Sequence, residues 1–203
     1  MNSKKSNLSP VCYSVFKTAI RWCGLLRSKK GIIIRLFVGY KERDQLLKQI
    51  LHEFGSGLER TPATGEIMDK IKRYCSGEKI IFEKNDLNWS LLTPFQQKVF
   101  KAAMRIPYGT VETYASLARK AGCPNSSRAV GNALARNPFP LLIPCHRIVR
   151  GDGKLGGFSA GGGIALKRKL LELEELSVAN RIKSRAKKGK GKYFSIKVYP
   201  FYS

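Results

Sequence analysis

The chain has 203 residues, enough for one large domain or two small ones that each bury a core. Its hydrophobic share of 43% and charged share of 26% are those of an ordinary globular protein, but 38 Lys and Arg against 14 Asp and Glu leave a formal charge of +24. Five scattered cysteines do not make a disulfide framework, and no apolar run approaches the roughly 20 residues needed to span a bilayer.

The basic excess is spread along the chain. Residues 1–89 carry 17 basic and 9 acidic side chains, residues 90–176 carry 13 and 5, and the last 27 residues carry 8 and none. Basicity throughout the folded part points to a polyanionic partner, nucleic acid ahead of membrane. The N-terminus has no apolar h-region with a small-residue cleavage site, so the protein is expected to remain inside the cell.

Taken in chain order, residues 12–38 are strand-rich. Two β-branched and aromatic runs flank the turn Ser28-Lys-Lys-Gly31, which predicts a hairpin. Leu46, Leu47, Ile50, Leu51 and Phe54 recur at helical spacing, and residues 66–75 form a second amphipathic pattern. The Gly-, Ser-, Thr- and Pro-rich stretch 55–65 is the loop between them. Residues 76–89 are the expected linker into a second domain.

In that second half, Thr93, Pro94 and Gln96 form a helix-start signature for a helix through Met104, stopped by Pro107-Tyr-Gly109. Thr113 is placed to cap a short helix through Lys120. Ser126 or Ser127 is placed to cap another through Ala135 or Arg136, with Asn137-Pro138 as the stop. Two short helices around a tight turn are compatible with a helix-turn-helix. The second of them is built mostly of small residues, which suits close approach to DNA or tight packing in a core.

The chemistry lies in Phe139-Pro-Leu-Leu-Ile-Pro-Cys-His-Arg-Ile-Val149. A thiolate is the reactive form of cysteine, and a neighbouring cation or base favours it. Cys145 beside His146 is by itself a weak signal, because buried structural cysteines are common. If this segment is a strand, the two side chains point to opposite faces and communicate only through a bend or a water.

The longer pattern is far more specific. Pro144-Cys-His-Arg147, with Asn137-Pro138 before it and Gly156-Gly-Phe-Ser159 after it, closely resembles the O6-alkylguanine-DNA alkyltransferases. The resemblance runs from about Leu91 to Glu174 and takes in Thr93-Pro-Phe-Gln96, Ile106-Pro-Tyr-Gly109, Tyr114, Arg128-Ala-Val-Gly131 and Leu170-Leu171. Over residues 12–87 it is looser.

The resemblance implies a mixed α/β fold of class α+β. A ribonuclease-H-like sheet-and-helix domain (1–89) would precede a mainly helical, winged-helix-like domain with the helix-turn-helix (90–176). Residues 177–203 have no counterpart in that pattern; their basic run predicts a tail that is disordered in the free protein and able to add phosphate contacts. The resemblance also implies that Cys145 accepts an alkyl group irreversibly, that His146 deprotonates it through a water, and that Glu174 orients the histidine. Glu172 is also available, but residues two apart on a helix lie about 200° apart, so only one of them faces inward. Asn137 would brace the active-site segment, Tyr114 would meet the flipped base or its phosphate, and Ser159 would bond near the departing guanine oxygen. Arg128 would fill the gap left in the duplex, on a helix whose Ala129 and Gly131 approach the DNA. Pro140, Leu142 and Phe158 would line an alkyl pocket.

No cofactor and no metal are expected, since Cys12, Cys23, Cys75 and His52 lack close ligand spacing. The expected partner is double-stranded DNA carrying alkylated guanine, bound by a monomer, in the cytoplasm of a prokaryote or the nucleus of a eukaryote. The loop between Ser159 and Lys167 is two residues longer than in common members, which bears on lesion size. A non-catalytic alkyltransferase-like protein would lack the cysteine of Pro144–Arg147. A helix-turn-helix regulator would account for the charge but not for that string, and nothing marks the oxyanion hole of a cysteine hydrolase.

Overall fold

In the computed structural model, residues 11–187 are described, with side chains as far as residue 175. Strands β1 (Val11–Lys17), β2 (Trp22–Ser28) and β3 (Ile33–Tyr40) form an antiparallel meander. The predicted hairpin is β2–β3, closed where the Gly31 amide donates to Ser28 O at 2.8 Å. A two-residue strand, β4 (Glu59–Arg60), pairs parallel to β1 within the stretch read as loop, giving the order β3-β2-β1-β4.

Helix α1 (Arg43–Phe54) covers one face of this sheet, burying Leu46 and Ile50 against Leu26, Ile34 and Phe37. Its approach needs the bare Cα of Gly24, because a Cβ there would lie 2.8 Å from Ile50 Cδ1. On the other face, Phe16, Cys23, Leu25, Leu36 and Val38 meet helix α2 (Glu66–Cys75) through Met68, Ile71, Tyr74 and Cys75. That same buried cluster continues without a break into Phe100, Leu117, Val130, Phe139 and Leu170.

Residues 76–89 connect the halves but do not hang free. Leu87 is buried, it bridges to Ile33, and the Asn88 amide donates to Ile33 O at 2.9 Å. Beyond them, α3 (Pro94–Ala103) starts with the full capping box expected from Thr93 and Gln96. Thr113 Oγ1 accepts the Ser116 amide and caps α4 (Tyr114–Lys120). Helix α5 (Ser127–Ala135) starts differently from expectation. Ser126 stands at its N-cap, but at ψ 28° its hydroxyl makes no capping bond, and a left-handed Asn125 turns the chain into the helix instead.

The segment carrying Cys145 is not a strand. Residues Cys145–Arg147 form a single 3-10 turn, followed by β6 (Ile148–Val149), which pairs parallel with β5 (Glu112–Thr113). Helix α6 (Gly163–Lys187) closes the described chain. It runs past the boundary drawn at residue 176, and residues 188–203 of the expected tail lie outside the described residues. Among the described residues no helix is long and apolar enough to cross a membrane.

Two bonds tie the halves together beside Cys145. The outer edge of β3 donates from Leu36 N to Pro138 O, and Gly161 N donates to Val38 O, each at 2.9 Å. A sheet edge that would otherwise be open is thereby covered by the two loops flanking the cysteine.

Candidate active site

The loop from Asn137 to Pro144 is built around one side chain. Asn137 Oδ1 accepts the Phe139 amide at 2.9 Å, while Nδ2 donates to Ile143 O and to Cys145 Sγ, both at 3.1 Å. Leu141, at φ +70°, makes the reversal with a conformation a leucine rarely adopts. The outcome is a buried sulfur with a fixed donor aimed at it.

Because residues 145–147 turn as a 3-10 helix, His146 and Arg147 point into the core, where they meet Glu174 from α6. Glu174 is fully buried, whereas Glu172 is exposed. Glu174 Oε1 lies 2.9 Å from His146 Nε2 and 2.8 Å from Arg147 Nη2, and Arg147 Nε reaches both oxygens. Oε2 also accepts the Gly109 amide at 2.8 Å, and Tyr74 Oη donates to Oε1. Arg147 Nη1 is anchored on Ile106 O at 2.7 Å. Burial opposes ionisation of Glu174, but the donors from His146 and Arg147 outweigh it and hold the carboxyl at about 2.

Burial pushes His146 below the usual imidazole range despite the carboxylate beside it. With Nε2 directed at Glu174, the ring's other nitrogen, Nδ1, is buried without a protein partner and is the atom able to accept a proton. Burial also raises the Cys145 thiol, against the opposing pull of the Asn137 amide and the Lys167 charge. Lys167 is fully buried on α6, its Nζ donating to Ile148 O at 2.5 Å and Gly157 O at 3.4 Å, and burial lowers it to about 8.

Among the described residues, Cys145 lines two cavities. The larger, about 330 Å³, is lined by Tyr114, Gly131, Leu134, Ala135, Phe158 and Ser159. The smaller, about 90 Å³, lies towards β3 and is walled in part by Pro140, Phe158, Ser159 and Asn137. Leu142 lines neither; it is buried in the core, so the pocket expected from Pro140, Leu142 and Phe158 has two of its three walls. Arg128 and Ala129 are exposed in the first turn of α5, outside both cavities, and Gly131 one turn on faces the Tyr114 ring.

Sequence reasoning passed over Tyr74, Lys167 and the use made of Arg147 and Gly109. Lys167 had a signal: Lys167, Leu171 and Glu174 share a helical face by the same spacing that placed Leu170 and Leu171 inward. Tyr74 had none beyond being apolar on an amphipathic helix.

Comparison with known proteins shows which family the chain is similar to. A family profile described as 6-O-methylguanine DNA methyltransferase, DNA binding domain, matches residues 94–176. A methylated-DNA–protein-cysteine methyltransferase of Sulfurisphaera tokodaii is 33% identical over 172 residues, 85% of this chain and 98% of that protein. The chain belongs to this family. The Methanothermobacter thermautotrophicus member is more similar, 40% identical, but over 116 residues, 57% of this chain and 64% of that protein. The match thus spans slightly less than two thirds of that relative. The crystal structure of the Mycobacterium tuberculosis O6-methylguanine methyltransferase superposes with a TM-score of 0.66 at 32% identity, covering 82% of this chain and 94% of that one. That mycobacterial protein has also been solved in complex with DNA. The mixed α/β architecture, a sheet with helices followed by a helical DNA-binding domain, is therefore shared with the solved members of the family.

Proposed function

We propose that this protein repairs DNA directly, by moving the alkyl group of O6-alkylguanine, O6-methylguanine foremost, onto Cys145 Sγ. The observation that carries this reading is the single constellation around the sulfur. Asn137 donates to it, the His146–Glu174 pair stands beside it, and a 330 Å³ cavity lined by Tyr114 and Ser159 opens onto it.

The reaction follows from these groups. The lesion lies inside the stacked duplex, so the nucleotide is extruded, at a cost of a few kcal/mol. Arg128, exposed at the start of α5, enters the space it leaves. His146 Nδ1 takes the thiol proton through a water, the sulfur attacks the alkyl carbon, and the C–O6 bond breaks. Tyr114 and Ser159 donate to the guanine as negative charge develops on it. A thioether is a poor leaving group, so the alkylated cysteine persists and each molecule acts once.

In this reading residues 90–176 bind DNA and accept the alkyl group, while residues 1–89 brace the loops around Cys145. The basic surplus and the DNA complex of the mycobacterial relative support duplex DNA as partner. One chain carries the whole constellation, which supports a monomer working wherever the genome is kept.

The test is to incubate the protein with duplex DNA carrying labelled O6-methylguanine. Label is expected on a peptide containing Cys145, stopping at one equivalent. Cys145→Ala should abolish transfer and leave DNA binding intact. Catalytic turnover, or label on another cysteine, would refute the mechanism.

A further inference from the structure

Tyr74 is the penultimate residue of α2, in the half of the molecule that carries neither the nucleophile nor its base. Yet its side chain is fully buried against both His146 and Glu174. Its ring packs edge-on to Tyr108 with centroids 5.9 Å apart, tilted against Phe82 at 5.7 Å, and edge-on to His146 at 6.4 Å. Its hydroxyl donates to Glu174 Oε1 and lies 3.0 Å from His146 Nε2.

The phenol has one proton, and the carboxylate takes it. Burial, then the Glu174 charge, pushes the phenol well above its usual range, so this proton stays in place. The hydroxyl oxygen can then only accept from the imidazole. Two acceptors, Tyr74 Oη and Glu174 Oε1, therefore converge on Nε2, which must carry the hydrogen, leaving Nδ1 as the ring's sole lone pair. We propose that Tyr74 is a positioning residue for alkyl transfer: delivered from α2, its hydroxyl holds His146 in the tautomer whose Nδ1 accepts the thiol proton. This rests on the reading of Cys145 as acceptor and His146 as its base.

The hydroxyl has a second effect. By donating to Oε1 it withdraws negative charge from the carboxylate that would otherwise stabilise a protonated imidazole. The other charged or titratable groups facing the ring are Arg147 and Cys145 on the turn and Lys167 on α6, with Tyr108 bordering Tyr74 and Arg147. Removing the hydroxyl should let Glu174 hold a proton on His146 more firmly.

The experiment measures single-turnover transfer from labelled O6-methylguanine DNA to the full-length protein across about pH 5 to 9, for wild type, Tyr74→Phe and Phe82→Leu. Tyr74→Phe is expected to reach the same one-equivalent endpoint, with unchanged DNA affinity, at a rate about tenfold lower. Its acid limb should move to higher pH by about one unit. Phe82→Leu loosens the packing around the ring without removing a hydroxyl, so its melting temperature should fall while the acid limb stays in place. The endpoint counts competent molecules, so misfolded protein does not enter the rate. A wild-type rate and limb in Tyr74→Phe, or equal displacement of the limb in both variants, would overturn the proposal. Nitrogen-15 NMR of the His146 ring reads the tautomer independently of transfer: Nε2–H alone in wild type, a mixture in Tyr74→Phe. If wild type transferred no label, the reading of Cys145 would fail, and this spectrum would still decide the role of Tyr74.

Discussion

The Asn137 side-chain nitrogen lies 3.1 Å from the Cys145 sulfur and 3.1 Å from the Ile143 carbonyl oxygen, so one amide both fixes the loop and touches the sulfur. Its oxygen accepts the Phe139 amide as well. Asn137→Ala leaves the Phe139 N–H buried without a partner, at about 1–3 kcal/mol, and takes from the Ile143 carbonyl one of two donors, the Cys145 amide at 2.8 Å remaining. The denaturation midpoint should drop accordingly. Transfer by the folded fraction should slow by at least about tenfold, as the sulfur loses its donor.

Glu174 and Arg147 form a buried ion pair on which His146 also depends. Glu174→Gln removes the negative member and leaves a guanidinium uncompensated, a loss of about 3–5 kcal/mol in chemical denaturation. In wild type the folded carboxyl titrates at about 2 and the unfolded one at about 4.3. The stabilisation is complete above pH 4.3 and disappears as pH falls through the folded value, amounting to about 3 kcal/mol at most. Acid titration of stability should show this window in wild type and lack it in Glu174→Gln.

Lys167 is a positive charge from outside the Pro-Cys-His-Arg string that acts on the sulfur. Lys167→Met preserves length and removes the charge. Alkylation of Cys145 by a small haloacetamide, followed against pH, should then shift to higher pH as the thiolate loses an electrostatic partner. The stability difference between the two proteins carries its own sign. Between about pH 8 and 10.4 the unfolded lysine still holds a proton that the folded one has released, so wild type should gain relative to the variant as pH rises.

Gly156 adopts φ +70°, and a Cβ there would stand 2.9 Å from the Tyr114 hydroxyl. Gly156→Ala should cost about 1–3 kcal/mol in backbone strain and displace the Tyr114 ring. Transfer from DNA should fall further than haloacetamide alkylation of Cys145, since only the former uses Tyr114. Equal losses in the two assays would show that the ring does not move.

Much of the fold was legible because it follows local rules. The hairpin around Ser28–Gly31, the periodicity of α1 and α2, and the capping box at Thr93 each depend on neighbours in sequence. What escaped depends on distant residues. The loop 55–65 holds β4 because Thr61 finds Tyr13 O and Ser14 across the sheet. Residues 76–89 look like a linker by composition, yet Leu87 and Asn88 are claimed by Ile33. At the site, the helical face of α6 separated Glu174 from Glu172. The strand alternation assumed at Cys145 failed, because the 3-10 turn sends His146 and Arg147 inward together. Tyr74 was invisible, since nothing near residue 74 hints at a carboxylate 100 positions later.

That separation bears on the order in which the chain is made. Tyr74 and Cys145 leave the ribosome before Glu174, which follows His146 by 28 positions. Until α6 emerges and docks, His146 has no carboxylate and the sulfur has no Lys167 beside it. On the reading proposed above, the proton acceptor for the thiol is thus completed only after the sulfur itself has been made. The cluster around His146 is complete only once α6 has docked against the 145–147 turn.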